Sequence, residues 1–409
     1  MSVLDPSRGV IRRTRLDLAD RPFIVIWEVT RACQLACRHC RAEAAPGRDP
    51  DELSLSEARR LMDQVRSFGS PPPLFILTGG DPFQRPDLFE LVRYGASIGL
   101  PMSVSPSGTP TLTESNLREL RSAGAIAISL SLDGATAETH DGFRGVQGVF
   151  DWTVNAWETA RRLGFKVQIN TTVTPDTLDE LPATLTRVRE MGAMTWSVFF
   201  LVPMGRGSAL GALTPDQMED VLHFLYDADK IVSVKTTEGA QFRRVVMQRR
   251  ILEHRGVPAG EYLPLGGTYR RLRAEAGRLL PDVDMDAPAK IRRPPLDVNA
   301  GRGFVFVSHI GAVHPSGFLP ITAGNVRFES LSDIYRNSPL FVALRDPDRL
   351  AGRCGACEFR TVCGGSRSRA FGLTGDPLAE EPWCSYEPGS FPFQDEVREM
   401  VGAGSRPPS

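Results

Sequence analysis

Seven cysteines fall into two groups, Cys33, Cys37 and Cys40 near the start of the chain and Cys354, Cys357, Cys363 and Cys384 near its end, with none left over. Cysteines serving only as small buried hydrophobes would be scattered, so the grouping points to joint chemistry. The first group reads Cys33-Gln-Leu-Ala-Cys37-Arg-His-Cys40, three thiols inside eight residues with His39 just before the last. Thiolates at this spacing suit zinc or an iron–sulfur cluster. Structural zinc takes four ligands, whereas a four-iron cluster on three protein thiolates leaves one iron open. His39 as a fourth ligand keeps zinc in play.

The chain of 409 residues, 41% hydrophobic and 24% charged, has room for one large domain and a smaller one. Its net charge of -1 lacks the basic excess of a nucleic-acid-binding protein. The first residues hold no apolar core of a signal peptide, and no window approaches the roughly 20 apolar residues of a membrane span. We therefore expect a cytoplasmic protein with no membrane partner. Thiols stay reduced there, and clustered cysteines bind metal or carry out redox chemistry more often than they form disulfides.

Six apolar runs must position these groups: 23–30, 74–80, 102–107, 125–134, 166–173 and 195–202. Amphipathic helical patterns separate them, several opened by a capping residue such as Ser54, Thr113 or Thr214 with Pro215. Continuous apolar strands alternating with helices predict an α/β fold, a partial (β/α)6 TIM-type barrel with a parallel sheet. In such barrels chemistry gathers at the C-terminal ends of the strands. Just past those ends stand the three cysteines, Thr78-Gly79-Gly80-Asp81, Ser105 with Ser107, Ser131 and Asp133, Arg144, and Asn170 with Thr172. Small polar residues and glycines at successive strand ends describe a ring around one mouth.

The cysteine motif with Thr78-Gly79-Gly80-Asp81-Pro82 and Ser131-Leu132-Asp133-Gly134 behind it resembles the radical S-adenosylmethionine (SAM) enzymes over residues 20–230. The resemblance implies that Cys33, Cys37 and Cys40 are catalytic, holding a [4Fe–4S] cluster whose open iron is chelated by SAM. It implies cofactor contacts from His39, Thr78, Gly79, Gly80, Asp81, Ser105, Ser131, Asp133, Arg144 and Asn170. Asp81 stands where many relatives have glutamate, and His39 takes an aromatic slot where packing outweighs ligation. Reductive cleavage of SAM would release a 5′-deoxyadenosyl radical that abstracts hydrogen from a substrate, with an electron donor such as flavodoxin or ferredoxin.

Cys354-Gly-Ala-Cys357, Cys363 and Cys384 resemble half of a SPASM/twitch-type auxiliary cluster domain. They imply one auxiliary [4Fe–4S] cluster, with zinc as the less favoured occupant, and Arg367 stands in place of a further cysteine. His309 and His314 lie on the preceding hairpin, where packing is the favoured role. The chain divides into an N-terminal extension (1–19), the barrel (20–230), a basic Gly/Pro/Arg-rich linker (231–302), the auxiliary module (303–388) and a tail (389–409) whose last residues are expected to be disordered. The linker carries Arg243, Arg244, Arg249, Arg250, Arg270, Arg271, Arg273, Arg292 and Arg293, which would suit substrate carboxylates or form a solvated face.

The substrate is a small molecule or a peptide. The segment Arg21 to Thr30 and the single auxiliary cluster look most like the branch acting on tetrapyrrole side chains in haem pathways, by steps such as oxidative decarboxylation of propionates. Maturases that crosslink ribosomal peptides are the alternative, weakened by the shortness of the segment before the first strand. A non-enzymatic iron–sulfur or zinc scaffold would leave the glycine and arginine sites idle.

Overall fold

The computed structural model describes residues 10–11, 16–286 and 294–402. Seven strands follow the barrel rhythm: β1 (Ile24–Thr30), β2 (Leu74–Gly79), β3 (Met102–Val104), β4 (Ala127–Ser131), β5 (Lys166–Val173), β6 (Thr195–Phe200) and β7 (Val234–Thr237). Each pairs with the next in parallel. Between and after them lie α1 (Leu55–Arg66), α2 (Leu88–Ser97), α3 (Glu114–Ser122), α4 (Ala137–Arg144), α5 (Val149–Arg162), α6 (Leu181–Glu190), α7 (Pro215–Ala228), α8 (Phe242–Arg255) and α9 (Gly267–Leu279). Ser54, Thr113 and Thr214 cap α1, α3 and α7 as their sequence predicts, each accepting a backbone N–H three residues on.

Alternation along the strands sorts side chains to two faces. Trp27, Leu77, Leu130, Ile169 and Val198 are fully buried beneath the helices, each such burial stabilising by about 1.5–3 kcal/mol. Thr78, Ser131, Gln168, Asn170 and Thr172 point the other way and are half-buried on the concave face.

The seventh strand is not announced by the sequence. Val234-Lys-Thr-Thr237 is short and alternates apolar with polar, unlike the continuous apolar runs that mark strands covered on both faces. Nor is the region after it an open linker. Arg243, Arg244 and Arg249 of α8 are buried. Arg244 pairs with Glu219, Arg249 with Asp227, and Arg243 donates to the carbonyls of Leu296, Val298 and Cys363. Arg250, Arg271 and Arg273 pair with Glu253, Asp179 and Asp286, and Arg270 donates to the Leu265 carbonyl. The three buried arginines build the fold, because one buried without a partner would forfeit its hydration, whereas Arg270 and Arg271 stay on an exposed face. Arg292 and Arg293 lie outside the described residues.

The C-terminal part extends the same sheet. Strand β8 (Phe304–Val307) adds to β1 in parallel, then turns back into β9 (Ala312–His314), and β10 (Gly324–Asn325) completes a sheet ordered β10-β9-β8-β1-β2-β3-β4-β5-β6-β7. The segment after β9 crosses to the far edge, where Ser316 donates to Glu238 at 3.1 Å and Phe318 lies against Phe199 with ring centroids 6.2 Å apart. Side chains thus bridge the gap that backbone pairing leaves. Beyond come α10 (Leu331–Asn337), α11 (Pro339–Arg345), α12 (Gly352–Ala356), α13 (Arg367–Thr374) and α14 (Gln394–Gly402). The stretch 389–402 therefore ends in a helix, whose Glu396 pairs with Arg255 of α8. The residues after 402 lie outside the described residues.

Candidate active site

The loop carrying the first cysteines leaves β1 and is tied shut at its base, with Cys33 N–H donating to the Ala45 carbonyl (2.9 Å) and Ala45 N–H to that of Arg31 (3.2 Å). The turn after β2 is stitched onto it. Gly80 N–H donates to the Thr30 carbonyl (2.8 Å) and Asp81 N–H to that of Ala32 (2.7 Å). A Cβ at Gly79 would lie 2.3 Å from the Thr30 oxygen, and one at Gly80 2.4 Å from the Ala32 oxygen. Only glycine lets the two backbones approach so closely. From β6 the next loop reaches back, Arg206 donating to the Cys37 carbonyl at 3.0 Å and to the Ala44 carbonyl at 3.4 Å.

Cys33 and Cys37 are buried and Cys40 is half-buried, all as free thiols. Each sulfur meets a donor. Leu35 N–H lies 3.4 Å from Cys33 Sγ, Ala44 N–H 3.4 Å from Cys40 Sγ, and Arg144 Nη1 3.6 Å from Cys37 Sγ. Ser107 Oγ is 3.4 Å from Cys33 Sγ and donates to the Gly80 carbonyl. Burial pushes the Cys33 thiol above its usual range, eased by those hydrogen bonds.

Arg144 at the end of α4 is buried, and its pairing is an internal one, with Asp133. Asp133 also accepts the Thr172 N–H at 2.7 Å, so the carboxylate steadies the guanidinium. Burial works against that ionised state, but the Arg144 guanidinium holds Asp133 below its ordinary range. Asp81 is fully buried, and its oxygens accept from Phe83 N–H, Ser107 N–H and Thr109 Oγ1. Its side chain clamps the turns after β2 and β3 together, where the sequence reading expects a cofactor contact. His39 stacks on Phe143, with centroids 4.5 Å apart and an interplanar angle of 12°. Burial lowers its pKa to about 4, which keeps the ring neutral. Thr78, Ser105, Ser131 and Asn170 are half-buried, with Ser131 and Asn170 in direct register.

The second group gathers around α12 and its flanking turns. Glu381 N–H donates to Cys354 Sγ at 3.2 Å, Arg367 Nη2 to the same sulfur at 3.6 Å, and Gly365 N–H to Cys363 Sγ at 3.5 Å. Burial raises Cys357 to about 12 and Cys363 to about 11, the Arg243 charge partly offsetting it at Cys363. Buried soft donors that meet N–H groups suit a cation that removes their protons. Among the described residues no three His, Cys, Asp or Glu side chains converge as a single ion requires. A four-iron cluster instead takes thiolates at its separate corners, and three or four cysteines are the kind of donor set it uses.

Sequence reasoning singled out the cysteines and glycines but gave no role to Arg206, Glu28 or Glu238. Glu28 of β1 is buried between Arg41 (2.7 Å) and His309 (3.0 Å). Glu238 accepts from the hydroxyls of Ser316, Ser366 and Ser368. Each depends on partners far away in the chain, and no local signal marks them.

Residues 27–188 match the Radical SAM superfamily. The AdoMet-dependent heme synthase of Methanosarcina barkeri is 38% identical over 374 residues, covering 91% of this chain and 99% of that protein. A protein of the same name from Oleidesulfovibrio alaskensis is 40% identical over 388 residues, covering 94% and 92%. The crystal structure of Streptococcus suis SuiB bound to its precursor peptide SuiA shares the fold, with a TM-score of 0.62 at 14% identity over 90% of this chain and 76% of that one. The chain belongs to the radical SAM superfamily. It is a radical SAM enzyme, and its family implies a [4Fe–4S] cluster and SAM.

Proposed function

We propose that this enzyme acts in haem formation, converting propionate side chains of an iron tetrapyrrole to vinyl groups by oxidative decarboxylation. The observation that carries this reading is the end-to-end similarity to two AdoMet-dependent heme synthases, including almost the whole length of one of them. Each conversion removes one carbon dioxide, one hydrogen atom and one further electron from the side chain.

Cys33, Cys37 and Cys40 would hold the cluster, and the turn of Thr78 to Asp81 would face the amino group of SAM. Ser105, Ser131 and Asn170 would line the pocket beside it, with Arg144 steadied by Asp133 and His39 packing at the adenine. When bound and reduced, the cluster and SAM supply a 5′-deoxyadenosyl radical. The chain must shield that species from water. The C-terminal part would contribute to that shield, since it is anchored just past β6 and β7 by Arg369, which donates to the carbonyls of Leu201 and Glu238 while paired with Glu381. Cys354, Cys357, Cys363 and Cys384 would hold one auxiliary [4Fe–4S] cluster that receives the remaining electron. A flavodoxin or ferredoxin would supply the first electron in the cytoplasm.

The test is anaerobic turnover of reconstituted protein with SAM, dithionite and iron coproporphyrin III, which carries propionates where haem carries vinyls. Appearance of haem with 5′-deoxyadenosine supports the reading. Cofactor cleavage without haem would reject it and favour the peptide-modifying alternative.

A further inference from the structure

Among the described residues two guanidinium groups lie beside a cysteine thiol, and their electrical surroundings differ. Arg144 stands 3.6 Å from Cys37 Sγ, and its charge is matched by the buried Asp133 carboxylate. Arg367 stands 3.6 Å from Cys354 Sγ and is just as inaccessible, at 2% exposed. Its remaining hydrogen bonds go to the Pro377 and Ala379 carbonyls, and its Nε is buried without a partner. Among the described residues no carboxylate forms an ion pair with it.

Arg243 repeats the pattern on the other side of the group. It is 6% exposed, donates to the carbonyls of Cys363, Leu296 and Val298, keeps an unpartnered Nε, and has no carboxylate in ion-pair contact among the described residues. The other arginines nearby are balanced: Arg244 by Glu219, Arg353 by Glu380 and Glu387, and Arg369 by Glu381. Asp297, the carboxylate whose charge Arg243 feels, is already paired with Arg302 at 2.8 Å, and buried cations without a carboxylate of their own are costly unless an anion lies beside them. Four thiolates around a cluster would be that anion. The Gly365 turn makes room for the contact, since a Cβ there would lie 2.7 Å from Arg367 Nη2.

We infer that Arg367 and Arg243 are the counter-charges of the auxiliary cluster and raise its reduction potential, so that it takes up the electron left on the substrate. This rests on the auxiliary-cluster reading above. Adding an electron makes the cluster more negative, and uncompensated positive charge in a dry site favours the added electron. At the first cysteine group Asp133 cancels the same effect, which leaves the potential there lower. The two arginines act through charge and not by contact with substrate.

The test uses the full chain with Cys33, Cys37 and Cys40 changed to alanine, so that only the second site carries iron. Potentiometric titration followed by electron paramagnetic resonance compares this protein with its Arg367→Gln, Arg367→Lys and Arg243→Gln derivatives. We expect each glutamine variant to lower the reduction equilibrium constant at least tenfold, about 59 mV for a one-electron couple. Lysine at 367 should restore most of that loss. Should Arg367→Gln shed its iron, Arg243→Gln and Arg367→Lys carry the comparison. Unchanged potentials in the glutamine variants that retain iron would overturn the inference. Zinc or no metal at this site in the parent protein would overturn the auxiliary-cluster reading and the inference together.

Discussion

His309 Nδ1 lies 3.0 Å from Glu28 Oε1, joining the hairpin turn after β8 to the interior end of β1, while His309 Nε2 meets Asp49 at 3.1 Å. One imidazole thus ties a carboxylate of β1 to one from the loop that follows it. Although burial opposes its charge, the two carboxylates raise the His309 pKa above 6.5.

A folded-state pKa above the unfolded value stabilises the protein fully below the unfolded one and is lost as pH rises through the folded one. We expect the melting temperature to fall as pH is raised from 6 through the raised His309 value, and His309→Gln to flatten that slope. The variant should cost about 1–3 kcal/mol at pH 6 through the acceptors it strands. An identical pH slope in both proteins would exclude His309 as its source.

Arg144 and Asp133 form a buried pair, and removing either partner strands a charge. Arg144→Ala and Asp133→Ala should each cost about 3–5 kcal/mol, and the double variant clearly less than their sum. Arg144→Lys should also weaken SAM binding, since a point charge cannot serve both Cys37 and Asp133 as a fork does. Additive losses in denaturant titrations would mean that the two groups act separately.

Gly80→Ala must push the β2 turn off the cysteine loop. A loss of about 1–3 kcal/mol is expected, together with impaired cluster loading at the first site. Iron analysis and thermal melts check both, and a variant with native iron content would show that the loop yields easily.

Changing Cys33, Cys37 and Cys40 to alanine should abolish cofactor cleavage and leave about four irons on the remaining thiols. Changing Cys357 should spare cleavage of SAM and stop turnover. Continued turnover in the Cys357 variant would make the second site structural. Zinc in place of iron there would do the same.

The parallel sheet, its helices and the two cysteine groups are legible in the sequence because their signals are local: apolar runs, capping residues and short spacings. The turn at Gly79 and Gly80 is legible for the same reason. What escapes is set by contacts between distant segments. Val234 to Thr237 becomes a strand only because Trp196 to Phe199 lies beside it. Arg243, Arg244 and Arg249 read as a solvated face, yet carbonyls and carboxylates from other segments bury them. The Asp81 oxygens accept from Phe83, Ser107 and Thr109, and the last two of those partners come from another turn that no local spacing announces. Charge on a side chain says that it needs a partner, and only the folded chain says which.

The pairing of β8 with β1 has a consequence for the birth of the molecule. The strand that leads into Cys33 leaves the ribosome long before the neighbour it pairs with. At ordinary elongation rates β1 waits on the order of tens of seconds with one edge bare, and a bare edge invites pairing with another chain. Shortening the gene to express the barrel alone would make that delay permanent, leaving bare the edge of the strand that leads into the first cysteine group.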